Sequence, residues 1–386
     1  MKPMKKRETK TYKSLLFAAF FVWLFSCSTS EKSNTTNKDE LNVEKSALSK
    51  DPTGHDVINW KNFFKNPPNQ KERKDIEYKL SKWKDEESAM SLLTKGRNQV
   101  ALGYIGDAES TFRQVLRQNP ENHEALLELA QIHLRKKQYM TCLDLLADLK
   151  ERISVMESKD PIFVMKYKYL LALAYLGQKD YERGRAILNE IISTETSFTP
   201  GYIALAKSYL TTNKIEIAEF ILKRGADRGK EDAGVFNILG VIALRKENQE
   251  RAMELFNKAL QVSPTFIPAL VNRARLFISR FELQSAEKDI KQVLTYNPSN
   301  VDAMVLLGIC SKKQGRISEA RSAFTKAIDF DPNSASARFN LAVLLIEHYN
   351  RNDEAQRLFE EVINLEDEDL EIKKLSKNYI SKLTGN

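Results

Sequence analysis

The chain has 386 residues, 42% of them apolar and 29% charged, a balance that folds and that excludes both a wholly disordered chain and a polytopic membrane protein. With only 14 glycines and 11 prolines to make turns, helices joined by short loops are expected over a β-rich fold. The net charge of +8 suggests a nucleic-acid binder, but Lys2, Lys5, Lys6, Arg7, Lys10 and Lys13 against the single Glu8 concentrate the excess at the N-terminus, and the body is close to balanced.

After the basic start, Leu15 to Phe25 is an uninterrupted apolar run that ends at Ser26-Cys27. At about 1.5 Å per residue it spans roughly half of a ~30 Å hydrocarbon core, the length of a signal-peptide core and too short for a crossing. Residues 1–26 therefore read as a secretory signal. Leu24-Phe25-Ser26-Cys27 resembles the bacterial lipobox. That resemblance implies a lipidated, palmitate-bearing Cys27 as the first mature residue, and Ser28 in place of an aspartate implies the outer membrane. An ordinary signal peptide, or an uncleaved anchor followed by a coincidental cysteine, is the alternative. Residues 27–50, with few apolar side chains, read as a flexible lipid-anchored tether.

Residues 51–88 read as an N-terminal helical segment or cap. Val57, Ile58, Trp60, Phe63 and Phe64 form a dense apolar cluster, taken as a packed segment more than a docking motif, and Ile76, Leu80 and Trp83 share a helical face after the break at Pro67-Pro68.

From Ala89 the chain repeats. Phe236, Leu239, Gly240, Ala243, Ala252, Phe256, Ala259 and Pro264 mark one unit; adding 34 to seven of these positions lands on Leu270, Ala274, Phe277, Ala286, Ile290, Val293 and Pro298, and another 34 brings in Met304, Leu307, Gly308, Ala320, Phe324, Ala327 and Pro332. This spacing resembles the tetratricopeptide repeat (TPR). Extended both ways, it gives starts at 89, 123, 165, 199, 233, 267, 301 and 335 over residues 89–367. The interval between the second and third starts is 42 residues, with the extra placed in Glu151 to Pro161, and the eighth unit needs a one-residue shift to reach Ala355 and Phe359. Small residues sit where two helices cross and proline stops the second helix. The expected fold is all-α, a right-handed TPR α-solenoid of about eight helix-turn-helix repeats with helical caps. Residues 368–386 supply the C-terminal cap, with Ile372, Leu375, Tyr379 and Leu383 on one face.

No phosphate-binding loop, zinc-protease, hydrolase-elbow or CxxC motif occurs, and no histidine has a cysteine or second histidine at ligand spacing. His133 and the helical Cys142 and Cys310 read as packed core groups. The run Glu366 to Asp369 reads as a solvated helix start. No catalytic residue, metal or cofactor is expected, nor any nucleic acid.

The TPR resemblance implies that partner segments bind along the inner positions of each first helix. Those positions include Arg97, Tyr169, Ile203, Lys207, Val271, Arg275 and Phe339, an apolar surface with scattered positive charge. The expected partner is an acidic protein segment with apolar anchors. The Lys and Asn pair with which chaperone-adaptor repeats grip a C-terminal carboxylate is missing. The resulting expectation is a non-enzymatic, lipid-anchored envelope scaffold facing the periplasm, of the pilus/secretin, gliding-motility or outer-membrane-assembly type. Alternatives are an adaptor that recruits a peptidoglycan hydrolase or protease, or a cytosolic adaptor should the signal be misread.

Overall fold

The computed structural model of the protein describes residues 48–50, 56–58, 70–82, 88–151, 153, 160–228, 231–365 and 370–384. The described residues form eighteen α-helices and one two-stranded ribbon. In that ribbon β1 (Leu48–Lys50) pairs antiparallel with β2 (Asp56–Ile58), with Leu48 opposite Ile58. This ribbon lies across residue 50, the expected boundary between the tether and the helical segment. The β-branched pair Val57-Ile58 favours extended chain. The apolar run 15–25, Cys27, Trp60, Phe63, Phe64 and Trp83 lie outside the described residues.

Helix α1 (Gln70–Ser81) precedes the repeats. The next helices are α2 (Ala89–Leu102), α3 (Ile105–Gln118), α4 (His123–Arg135), α5 (Tyr139–Ala147), α6 (Pro161–Gly177), α7 (Tyr181–Thr194), α8 (Thr199–Thr211) and α9 (Ile215–Arg228). They are followed by α10 (Ala233–Arg245), α11 (Gln249–Val262), α12 (Ile267–Ser279), α13 (Leu283–Tyr296), α14 (Val301–Lys313), α15 (Ile317–Phe330), α16 (Ala335–Tyr349), α17 (Asn352–Asn364) and α18 (Leu370–Thr384). The chain divides into two compact units, one ending at Ile242 and the other beginning at Ala243, a boundary that falls inside α10.

Local chemistry fixes the helix ends. Asn122, Asp160 and Asn300 accept from the backbone N–H of Ala125, Phe163 and Ala303 at 2.9, 2.9 and 2.8 Å, satisfying donors that the first turn leaves open. The Asp160 cap followed by Pro161 starts α6 four residues before Met165, where the repeat period alone puts it. Between the first and second helix of every repeat one residue is left-handed. These are Gly103, Lys137, Lys179, Asn213, Glu247, Phe281, Gly315 and Asn350, with φ from 52° to 87°. In the first seven, the residue after it donates to a carbonyl five back, as Gln138 does to His133 at 2.9 Å. In the eighth, Arg351 reaches six back to Leu345, and this wider closure absorbs the one-residue shift.

Inside each unit, neighbouring repeats share cores. In the unit ending at Ile242, Leu92, Leu93, Ala108, Phe112 and Val115 of α2 and α3 pack with Ala125, Leu129 and Ile132 of α4. The α2–α3 crossing is close because Gly96 has no side chain; a Cβ there would lie 2.5 Å from Phe112 Cε1. In the unit beginning at Ala243, Gly308 of α14 faces Phe324 of α15 more closely still. That unit ends on α18, where Tyr379 stacks on Phe359 with centroids 5.1 Å apart and meets Phe339 edge-on at 5.7 Å.

Candidate binding face

The inner positions fall on the first helix of each repeat, and their side chains have different fates. In the unit ending at Ile242, Arg97 of α2 is held between two carboxylates of α4, with Nε 2.8 Å from Glu128 Oε1 and a terminal nitrogen 2.8 Å from Glu124 Oε2. Burial works against its charge, but Glu128 and Glu124 hold its pKa above the ordinary arginine value. Arg97 is thus a bridge between repeats, its donors engaged at one of the positions expected to line the inner face.

Tyr169 of α6 is 5% exposed and lies edge-on to Phe198 at 5.5 Å. Burial, aided by Asp232, keeps its hydroxyl well above the ordinary tyrosine range. It is a core ring, contrary to the contact surface expected of it. Ile203 and Lys207 lie one turn apart on α8 and are half-buried. Thr199 at the start of α8 donates to Asp232 Oδ2 at 2.6 Å, and that carboxylate also accepts from the Gly234 N–H at 2.7 Å and so caps α10.

In the unit beginning at Ala243, Val271 of α12 is 3% exposed, so it too is core, contrary to the contact surface expected of it. Arg275, one turn on, is half-buried and acts on Asp302 of α14. Burial pushes the Asp302 carboxyl up to about 7, Arg275 partly offsets this, and Asp331 adds to it. Phe339 of α16 is half-buried in the aromatic group with Phe359 and Tyr379. The structure therefore brings Ile203 together with Lys207, and Val271 with Arg275, while Tyr169, Val271 and Phe339 serve packing.

Counting repeat positions missed Asp302, Glu124 and Glu128. A signal was present in the sequence: Glu124 follows Arg97, and Asp302 follows Arg275, by the same 27 residues. It also missed Arg185 of α7, which donates to Ser208 Oγ at 3.0 Å, to the Ser208 carbonyl at 2.5 Å and to Thr212 Oγ1 at 2.8 Å, with Tyr209's ring 4.0 Å beneath it.

His133 is buried with Nδ1 2.7 Å from Gln138 Oε1, in keeping with a core ring. Cys142 is fully buried, and burial pushes its thiol up to about 12; the buried Cys310 donates to the Leu283 carbonyl at 3.3 Å, and its pKa is raised chiefly by burial. Such thiols are poor nucleophiles. Among the described residues no group of three or more potential metal ligands occurs, and no helix is long and apolar enough to cross a membrane.

Three family profiles, each described as Tetratricopeptide repeat, match the chain: one at residues 93–139, 203–265 and 271–335, one at 168–194 and one at 311–378. A BBSome complex member BBS4 homolog of Drosophila melanogaster is 21% identical over 240 residues, 62% of this chain and 48% of its own length. The human Protein O-mannosyl-transferase TMTC3 is 23% identical over 256 residues, 63% of this chain and 26% of its own. The chain thus spans about half the first relative and a quarter of the second. Among solved structures, the APC/C hetero-tetramer Cut9-Hcn1 aligns at TM-score 0.53 and 14% identity, covering 81% of this chain and 59% of that one. Yeast Tom70 aligns at 0.53 and 16%, covering 79% and 66%. At these identities the structures share the fold.

Proposed function

The chain belongs to the tetratricopeptide-repeat family, and on that premise we propose that it is a non-enzymatic scaffold, lipid-anchored at Cys27 in the bacterial outer membrane, that holds protein partners during assembly of an envelope machine. The observation that carries the scaffold reading is the succession of helix-turn-helix repeats, each offering one more stretch of first-helix surface. Two matched proteins have names that put them in multi-subunit assemblies, the BBSome complex and the APC/C hetero-tetramer. The anchor and location rest on the basic start, the apolar run and Ser26-Cys27.

The partner is a protein segment with apolar anchors and negative charge. Arg97 is committed to Glu124 and Glu128, so Lys207 and Arg275 carry the preference for an acidic partner. Ile203 and Lys207 on α8 are the positions where contact is sought first.

Two measurements test this. Metabolic labelling with palmitate, followed by fractionation, should place wild type in membranes and leave Cys27→Ala unlabelled. A label-free wild type ends the anchor reading. A photo-crosslinking residue at position 207 should capture a partner in cells, whereas one at 169 should not; equal capture from both, or none from 207, ends the inner-face reading. The identity of the captured protein separates a structural machine from a hydrolase or protease.

A further inference from the structure

The turn between α12 and α13 carries a residue that folding alone does not favour. At the left-handed position the other seven repeats have Gly, Lys, Lys, Asn, Glu, Gly and Asn, whereas this one has Phe281 at φ 63°. Left-handed backbone is unfavourable for any residue with a Cβ, and a phenyl ring cannot form the local hydrogen bonds that make it tolerable for asparagine. The ring is also 68% exposed, so it gains little from burial. Two unfavourable terms therefore coincide at a position where glycine would relieve both.

The surroundings are specific. Lys313, the last residue of α14, places its ammonium 4.3 Å from the Phe281 ring centroid. Nearby cations have carboxylates: Arg280 is 2.8 Å from Glu250, Lys312 is 2.5 Å from Glu347 and Arg316 is 2.7 Å from Glu287. Among the described residues Lys313 has the ring instead, and both burial and the adjacent Lys312 disfavour its charge. Two residues after Lys313, in the turn of the next repeat, Gly315 is left-handed and a Cβ there would meet nothing within 4 Å. The result is a projecting ring, a cation without a carboxylate and an open step.

We propose that Phe281, Lys313 and the space over Gly315 form a docking point for an acidic protein segment that carries an aromatic side chain next to a carboxylate. The aromatic side chain lies against the exposed part of the Phe281 ring, and the carboxylate pairs with Lys313. Charge complementarity selects this occupant, since a carboxylate supplies what Lys313 lacks while the neighbouring ion pairs are already closed. This site lies on the turn between helices and does not depend on the inner face at Ile203 and Lys207.

The probe is a short dye-labelled peptide alternating aspartate and tryptophan, titrated into the full chain by fluorescence anisotropy. Two control peptides have alanine for tryptophan or lysine for aspartate. Wild type should bind the first peptide saturably and the controls weakly. Phe281→Gly and Lys313→Glu should each weaken binding about tenfold, and Lys207→Glu should leave it unchanged. Phe281→Gly should also melt at a higher temperature than wild type, because the left-handed strain is removed. The proposal is overturned by absence of saturable binding to wild type, by unchanged binding in both turn variants, or by a lower melting temperature for Phe281→Gly. It is equally overturned if Phe281→Gly abolishes self-association in sedimentation or attachment to anionic vesicles while peptide binding persists, since the ring would then serve a second copy or a lipid surface.

Discussion

The unit ending at Ile242 interrupts its repeat, with α4 and α6 starting at His123 and Pro161, whereas in the unit beginning at Ala243 the starts Ile267, Val301 and Ala335 are 34 residues apart. The interior of a repeat is nevertheless alike in both. Gly96 meets Phe112 in one and Gly308 meets Phe324 in the other, at the same separation along the chain. The irregularity is confined to the joint between repeats, where a longer α6 and a nine-residue α5 take up the slack. The crossing of two helices is the rigid element and the link to the next repeat is adjustable, as expected when each repeat contacts mainly its neighbours.

The strongest way to break this likeness is to fill the crossings. Gly96→Leu and Gly308→Leu should each cost about 3 kcal/mol or more by overpacking against the phenyl ring, and hydrogen exchange should rise in the mutated unit only. Equal loss of protection in both units would show that the chain unfolds as a single body. Next in size is the cap, present at the end of the second unit. Tyr379→Ala removes a ring stacked on Phe359 and should cost about 2 kcal/mol, with the protection of α16 and α17 falling first.

At one of the two inter-repeat arginine sites, that of Arg275 and Asp302, pH is the lever. Asp302 has a folded pKa raised from 3.8 to about 7 by burial, so the folded state binds more protons in that window. Stability of its unit should fall as pH rises from about 4 to about 7, and Asp302→Asn, a neutral mimic, should remove that slope and gain on the order of 1 kcal/mol at pH 8. Thermal melts of the two proteins that stay parallel across the window would refute the assignment. The smallest effect lies at the turns: Lys137→Gly at φ 59° should raise stability by about 0.5 kcal/mol by relieving left-handed strain, read as a small shift in the denaturation midpoint.

Much of this architecture was legible in the sequence because the repeat is a packing rule. The helices start at Ala89, His123, Thr199, Ala233, Ile267, Val301 and Ala335, where the spacing of small and large residues places them. Only the third departs, because Asp160 and Pro161 form a better start than the periodic position does. The binding face was less legible. Counting positions identifies which side of a helix Tyr169 and Val271 occupy, but not that their side chains are already covered by neighbouring core residues. Nor does counting along one helix reveal that Arg97 spends its donors on α4, since ion pairing between repeats depends on two positions taken together. The Phe281 turn was invisible for a different reason: a left-handed φ at a phenylalanine is not a preference that sequence patterns encode.

The two buried cysteines give the molecule a built-in clock. Cys142 belongs to the unit ending at Ile242 and Cys310 to the other, and both side chains are 0% exposed. A small alkylating reagent can reach either sulfur only when its surroundings open, so the modification rate of each thiol in native buffer reports the opening of its own neighbourhood. Peptide mass spectrometry separates the two signals without a mutation or a label. In the presence of a captured partner, whichever thiol slows is the one whose unit the partner holds shut.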